Sequence, residues 1–405
     1  MNTANNRPRA IVVAGGTWQV PLIKFLQAHQ FEVTVVDPYD DSKGVLIANH
    51  HVKEDVRNKE AILQKLTGKY SLVATDQSDI SVGTVAYLAN HLHLCGNAEQ
   101  VVERFSNKYI SRKYAQSIGV PIPRFALAQN NDSVKHFLAD STASAILKPS
   151  DSQSSKGIHV VDHNTTDAML REYLEDAVSY SQTKEVLIEE FAEGYEITVE
   201  GFCAGGKHRV MAMSKKKHFK TGIASSLRYP AAIPEHIRQQ VEEADNRYVE
   251  KSGLQFGITH AEYIVNENTG TFILVEIACR GGGTLISSDI VPWVSGFDMY
   301  EALLQCLTGR EGEVDVEAVI PKRRSAELHF FELGEGEIAD ISGVEEARKI
   351  KGVHRLDFDH HIGEVLHSCQ DDRSRQGFCI AFADTPEQLD ATIAEVENTI
   401  KVRFK

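Results

Sequence analysis

The sequence predicts a multidomain protein of mixed α/β and α+β units, and three observations carry that prediction. The first is the opening, where apolar runs at 10–13 and 32–36 flank the turn Gly15-Gly16 and a helix-like run at 21–29, with Asp37 closing the second run. That alternation is the start of a βαβ unit. The second is the stretch 258–283, ITHAEYIVNENTGTFILVEIACRGGG, in which two strand-like runs flank a turn-rich NENTG and carry acids among apolar residues. The third is a tail from about Pro321 that reads as a separate small α+β unit. Its strand-like runs at 326–332 and 377–383 accompany a helical run at 344–349 and a helix stripe of Leu389, Ile393, Val396 and Ile400. At 405 residues the chain exceeds one ordinary core, and its 42% hydrophobic residues can fill two or three.

Composition narrows the partners. A formal net charge of -14 repels nucleic-acid backbones and anionic membranes, so neither is expected as a partner. The six cysteines are scattered without metal-site spacing or disulfide density, and read as reduced thiols. No run reaches bilayer-crossing length and the N-terminus has no apolar signal segment, so the expected compartment is the cytoplasm.

The elements follow in order. The first unit continues with a helix at 59–66, a strand at 72–74, the loop Thr75-Asp76-Gln77 and a helix at 80–91. Its glycine loop, AGGTW, is not GxGxxG, which argues against a nicotinamide dinucleotide. Loops beyond strand carboxyl ends are the usual ligand sites of such sheets, so Gly15, Gly16, Asp37 and Asp76 are candidates to line a substrate pocket, with structural turns as the plainer alternative. From Asn97 the chain is helical and polar through Lys108, and the prolines of GVPIP at 119–123 end that segment. A strand at 145–149 carries Lys148. The hydroxyl-rich loop 150–157 can aim backbone N–H groups at an anion, or is simply an exposed turn.

Strands are expected at 158–161, 185–190 and 195–202, then comes SKKKHFK at 214–220, the one dense basic run of an acidic chain. It reads either as a solvated face or as a mobile anion-binding loop leading through Thr221-Gly222 to Arg228. Ile237, Val241, Ala244 and Tyr248 mark a packing helix that stops at Gly253, and 299–307 another. The pairs His50-His51 and His360-His361 read as surface histidines, because strand neighbours point to opposite faces.

Alternation places His260 and Glu262 on one face of the first hairpin run, and Phe272, Leu274 and Glu276 on one face of the second. Folding symmetrically about Asn268 sets His260 opposite Glu276 with Glu262 diagonal, so both carboxylates can reach one ion or two adjacent ions. A half-exposed hairpin with solvated carboxylates is the alternative.

Five pieces in order, SNKYISRKYAQSIGVPIP, ILKPSDSQSSKGI, VLIEEFAEGYEITVEG, THAEY and VEIACRGGG, together resemble the ATP-grasp superfamily, and within it the carboxylate–amine ligases, the group that includes L-amino-acid ligases. The resemblance covers nearly the whole chain. It implies an ATP-grasp fold with a Rossmann-like pre-ATP-grasp domain at 1–100, an ATP-grasp domain at 101–320 whose mobile lid lobe is about 122–205, and a small α+β domain at 321–405. It implies ATP and Mg2+, or Mn2+, as cofactors. Lys108 and Lys148 resemble the lysines that hold triphosphate oxygens, and the 150–157 loop, with Ser154, Ser155 and Gly157, would cover the β- and γ-phosphates. Glu189, Glu190, Phe191 and Ala192 resemble the hinge that reads adenine, and Glu196 the acid that binds ribose. Glu262 and Glu276 match the metal carboxylates, and Arg280 the arginine that holds the acyl-phosphate.

One departure stands out. The family's Glu-Ile-Asn-Pro-Arg is here Glu276-Ile277-Ala278-Cys279-Arg280, so the asparagine metal ligand is missing and a second ion would lean on water or another residue. The implied reaction forms an amide or peptide bond through an acyl-phosphate, releasing ADP and phosphate. Lys217, His218, Arg228, Gly282 and His260 are candidates for substrate binding, orientation or proton handling. Small carboxylates and amines, amino acids foremost, are the expected substrates, and a homodimer the expected assembly. The rival readings are a carboxylase or purine-pathway type of the same superfamily, and a nucleotide-binding regulator that has lost catalysis.

Overall fold

The computed structural model describes residues 7–152, 156–220, 223–319, 322, 324–369 and 374–405. Strands β1 (Arg9–Val13), β2 (Glu32–Asp37), β3 (His50–Lys53) and β4 (Leu72–Ala74) form a parallel sheet in the order β3-β2-β1-β4. Val12, Val33 and Val35 are buried in one cluster, Ile11, Val13 and Val36 in another. Burial on both faces explains why these strands read as unbroken apolar runs.

The second sheet is antiparallel, with β5 (Phe125–Leu127), β6 (Ala145–Pro149), β7 (His159–Val161) and β8 (Val186–Glu190) in the order β5-β8-β6-β7. It packs on the helices Asn131–Ala139 and Asp167–Tyr180 around its own core of Val134, Leu138, Leu147, Leu170 and Ile188. Asn130 and Ser133 close a capping box at the start of the first helix, and the Thr166 hydroxyl caps the second.

The largest sheet has eight strands. β9 (Tyr195–Ala204), β10 (Lys207–Lys220), β11 (Ile223–Tyr229), β12 (Phe256–Asn266) and β13 (Thr271–Ala278) are joined by β14 (Ser325–Phe330), β16 (Val353–Asp357) and β18 (Phe378–Ala383), in the order β13-β12-β9-β10-β11-β14-β18-β16. The tail is therefore not separate. Its strand β14 pairs with β11, Leu227 opposite Leu328, and carries the sheet onward into β18 and β16. Only β15 (Gly336–Ser342), β17 (Val365–Leu366) and β19 (Lys401–Phe404) stand apart as a small sheet. The apolar stripe of the helix Pro386–Thr399 places Leu389, Ile393 and Val396 against Cys379 and Ala381 of β18.

One face of the large sheet buries Ile197, Val199, Tyr263, Val265 and Leu274 against the helix Glu235–Ser252, whose Ile237, Val241, Ala244 and Tyr248 face inward. Gly253 ends that helix in the left-handed conformation that glycine adopts freely. The opposite face is turned to a cleft. The basic run at 214–220 lies within β10, so it is strand rather than loop, while Thr221 and Gly222 lie outside the described residues. Among the described residues, no helix is long and apolar enough to cross a membrane.

Candidate active site

A cleft of about 950 Å3 lies between the second sheet and the large sheet, and it gathers most of the residues that the sequence singles out. Lys108, Lys148, Glu189, Glu190, Phe191, Ala192, Glu196, Lys217, His218, His260, Glu262 and Glu276 all line it.

The hairpin does not fold about Asn268. Its register pairs Glu262 with Glu276 and His260 with Ala278, and an irregularity follows Glu262, because Tyr263 pairs with Leu274. Val275 is the extra residue of a bulge. A bulge shifts the parity of a strand, so Leu274 joins the core while Glu276, expected on the same face, turns into the cleft beside Val275 and Ile273. The two acids are thus directly opposed, where the symmetric register made them diagonal. The carbonyl of Val275 accepts from Arg112 Nη2 at 2.5 Å, which satisfies the group that the bulge removes from the ladder.

Arg112, fully buried on the helix Lys108–Ser117, also forks onto Glu189 of β8. Lys148 Nζ meets the same carboxylate at 2.5 Å. Burial alone would raise the Glu189 carboxyl, but Arg112 and then Lys148 outweigh it and hold it at about 2. For Lys148 burial wins, and its ammonium is held below the ordinary lysine range. The Glu189 backbone sits mid-sheet, opposite both Phe125 and Ile146, and the N–H groups of Glu190 and Phe191 donate to Arg124 O and Ser144 O. The side chain of Glu189 is therefore a counter-ion for Lys148, a role the hinge reading did not include.

Each cleft carboxylate carries a lysine. Lys108 Nζ lies 3.0 Å from Glu276 Oε1 and donates to Ser152 O at 2.7 Å. Lys216 bridges Glu196 and Glu262, reaching Glu262 Oε1 at 2.5 Å, and His218 Nε2 is 3.0 Å from Glu196 Oε2. Burial opposes ionisation of Glu262, but Lys216 overcomes it and holds the carboxyl well below the usual range. His260 donates from Nδ1 to the buried Glu200 at 2.9 Å, and its Nε2 lies 3.6 Å from Glu262. Burial lowers His260, yet Glu200 outweighs burial and lifts it to about 9.

Two ionised, directly opposed carboxylates at the foot of a cation-rich cleft fit a magnesium ion that draws its remaining ligands from phosphate and water. Ala278, buried opposite His260, offers no side-chain oxygen, and among the described residues no three His, Cys, Asp or Glu side chains cluster as a metal cage.

Arg280 is placed differently. Its Nε and Nη2 each lie 2.7 Å from the carboxylate of Asp79, in the first turn of the helix Asp79–His91, and the guanidinium does not line the cleft. Asp76 accepts from Gly281 N, Ser287 Oγ and Tyr300 OH at 2.6–2.9 Å, so the first unit holds the loop that follows Arg280. Gly282 lets that loop approach His260, since a Cβ there would lie 2.8 Å from Nδ1. Thr284 and Leu285 both have positive φ, 60° and 67°, a strained pair at the cleft wall that leads into a π-helical turn, Ile286–Ile290.

Several expected contributors lie elsewhere. Arg228 is on the far face of β11 from Leu227, where it pairs with Asp390 and donates to Pro386 O, docking the C-terminal helix rather than a substrate. Gly157 does not line the cleft: its φ is +67° and a Cβ would crowd Ala177, Tyr180 and Pro149, so packing explains it. Ser154 and Ser155 lie outside the described residues. Asp37 accepts from Gly15 N, Tyr39 N and Ser42 Oγ, and a Cβ on Gly15 would strike Val35, so these residues and Asp76 build turns, not a pocket.

Lys216, Arg112, Glu200, Asp79 and Arg375 escape the sequence reading. Lys216 had a signal, because reading 214–220 as a strand places it on one face with His218. Arg112 had another, four residues after Lys108 on one helix face. Asp79 and Arg375 had none, since only tertiary folding brings them here.

Residues 141–289 match the ATP-grasp domain profile, and residues 329–405 match that of the L-amino acid ligase C-terminal domain 2. Over 98% of this chain and 97% of the relative, the sequence is 22% identical to dapdiamide A synthase of Enterobacter agglomerans. The structure of L-amino acid ligase from Bacillus licheniformis superposes with a TM-score of 0.79 at 19% identity, covering 99% of this chain and 100% of that one. Phosphoribosylglycinamide synthetase from Anaerococcus prevotii gives a TM-score of 0.76 at 15% identity, covering 98% and 100%. At such identities the superpositions speak for the fold, which is the ATP-grasp architecture.

Proposed function

We propose, from the premise that the chain belongs to the ATP-grasp superfamily and to its carboxylate–amine ligase group, that it joins a small-molecule carboxylate to an amine at the expense of ATP. The observation that carries this reading is the charge pattern of the cleft: Glu262 and Glu276 face each other, each with a lysine at its tip, beneath the Lys148–Glu189–Arg112 triad.

The substrate carboxylate attacks the γ-phosphorus of ATP, an O–P bond forms as the bond to the β-phosphate oxygen breaks, and ADP leaves. The amine nitrogen then attacks the acyl carbon, loses its proton, and expels phosphate. Lys108 and Lys148 bind triphosphate oxygens, residues 189–192 frame the adenine, and Glu196 binds the ribose. Glu262 and Glu276 hold Mg2+ or Mn2+, which when bound neutralises phosphate charge. His260, fixed by Glu200, orients the carboxylate beside Glu262, while Lys217 and His218 add positive charge at the rim. Arg280 holds the acyl group's oxygens only after exchanging part of its contact with Asp79. The protein contributes position and electrostatics rather than a nucleophile. Amino acids are the expected substrates, in a cytoplasmic homodimer.

Incubation with ATP, magnesium and pooled amino acids should yield ADP, phosphate and a condensation product detected by mass. AMP with pyrophosphate contradicts the acyl-phosphate route. Nucleotide binding without turnover across broad pools favours the regulatory reading, which the alanine at position 278 motivates.

A further inference from the structure

The cleft continues past the groups assigned to nucleotide and metal. On the far side of β10 from Glu196 and Glu262 its floor crosses β11 and β14, where Leu227, Leu328 and Phe330 line it. All three are buried members of the main apolar cluster, and Ile286, from the loop after Arg280, joins them. Arg375, just before β18, closes this end with its guanidinium carbon 3.7 Å from the centroid of the Phe330 ring. A guanidinium stacked on an aromatic face keeps its donors at its edge, in the fork geometry that suits a carboxylate.

We propose that this end receives the amine substrate, and that the substrate is an amino acid with an apolar side chain whose own carboxylate pairs with Arg375 while the side chain rests on Leu227, Leu328 and Phe330. The inference rests on the ligase reading above. Three arguments select this occupant. The carboxylate to be activated must reach the phosphate beside Glu262 and Glu276, so a carboxylate held by Arg375 is one that does not react, and an amino acid serving as the amine has one to spare. The described residues that line this end include no carboxylate, so a second cationic group on the substrate has no counter-charge there. Leucine and phenylalanine side chains match an apolar segment, whereas sugar hydroxyls would lose hydrogen bonds to water without replacement.

The test compares amines that differ only in that carboxylate. The acyl donor is first identified among the common amino acids by hydroxamate formation with hydroxylamine, ATP and magnesium. With that donor, L-leucine and L-phenylalanine are compared with L-leucinamide and L-phenylalaninamide as amines. The expected wild-type preference in kcat/KM for the free acids is about 10–100-fold, the range for losing one charge-assisted pair. Arg375→Ala should collapse that ratio toward one, and Arg375→Lys should retain part of it, since charge survives without the fork. Equal use of acid and amide by the wild type overturns the proposal without recourse to any variant, as does an undiminished ratio in Arg375→Ala. Hydroxamate formation without any such preference defeats this inference alone. Absence of both hydroxamate and ADP with every donor defeats the ligase reading itself.

Discussion

The acids of the first sheet and those of the cleft look alike in sequence and behave oppositely in the structure. Asp37 and Asp76 are saturated: backbone N–H groups and hydroxyls of Gly15, Ser42, Gly281, Ser287 and Tyr300 surround them at hydrogen-bond distance. Glu196, Glu262 and Glu276 instead meet the tips of Lys108 and Lys216, flexible side chains that can move onto phosphate oxygens. An acid held by short, fixed donors belongs to the fold. One balanced by a lysine at the edge of a cleft is available for exchange.

That contrast can be broken by substitution, and the largest effect is expected in the cleft. Glu276→Gln should lower metal-dependent kcat/KM by roughly 100–1000-fold with little change in thermal stability, and a variant of normal activity would remove the hairpin from the site. Asp76→Asn should do the reverse. Loss of the charged acceptor for three donors should destabilise the protein by about 1–3 kcal/mol in urea titrations, with activity per folded molecule largely retained. An unchanged urea midpoint would show that Asp76 is not the clamp described here.

A smaller effect tests the exchange itself. Mn2+ binding, followed by the loss of free-ion paramagnetic signal, should be weak until a non-hydrolysable ATP analogue is added, because Lys216 and Lys108 already neutralise the carboxylates. Lys216→Met should tighten nucleotide-free Mn2+ binding by about tenfold. Tight binding to the wild type without nucleotide would contradict the picture of lysine as placeholder.

The smallest effect concerns a buried acid away from the cleft. Asp245, which accepts from Tyr263 OH at 3.0 Å, is pushed up to about 7, chiefly by burial. A folded-state value above the unfolded 3.8 means that its contribution is complete below about 3.8 and is lost as pH rises through about 7. Asp245→Asn should therefore gain stability relative to wild type at about pH 8 more than at about pH 5. Equal differences at the two pH values would show that Asp245 is ionised throughout.

Much of the site was legible because its chemistry is local: a lysine before a hydroxyl-rich loop, an acid pair across a glycine, two acids in one hairpin. The geometry was less so. The bulge at Val275 depends on Arg112 meeting a carbonyl 163 positions away, and nothing in the run TFILVEIA marks where alternation slips. Lysine density disguised β10 as a loop, although its pairing with β9 and β11 overrides local propensity. The continuity of β14 with β11 and the Arg280–Asp79 fork are likewise tertiary events, the latter across 201 positions. Those long-range contacts convert acids of one sequence type into two physical kinds.

The central claim, that the cleft activates a carboxylate by phosphoryl transfer, is tested most directly by following its oxygen. The amino acid that supports ADP release is supplied with a heavy-oxygen-labelled carboxylate, and the products are separated and weighed. The account predicts one labelled oxygen in the released phosphate. Label in AMP, or unlabelled phosphate alongside labelled product, would contradict it.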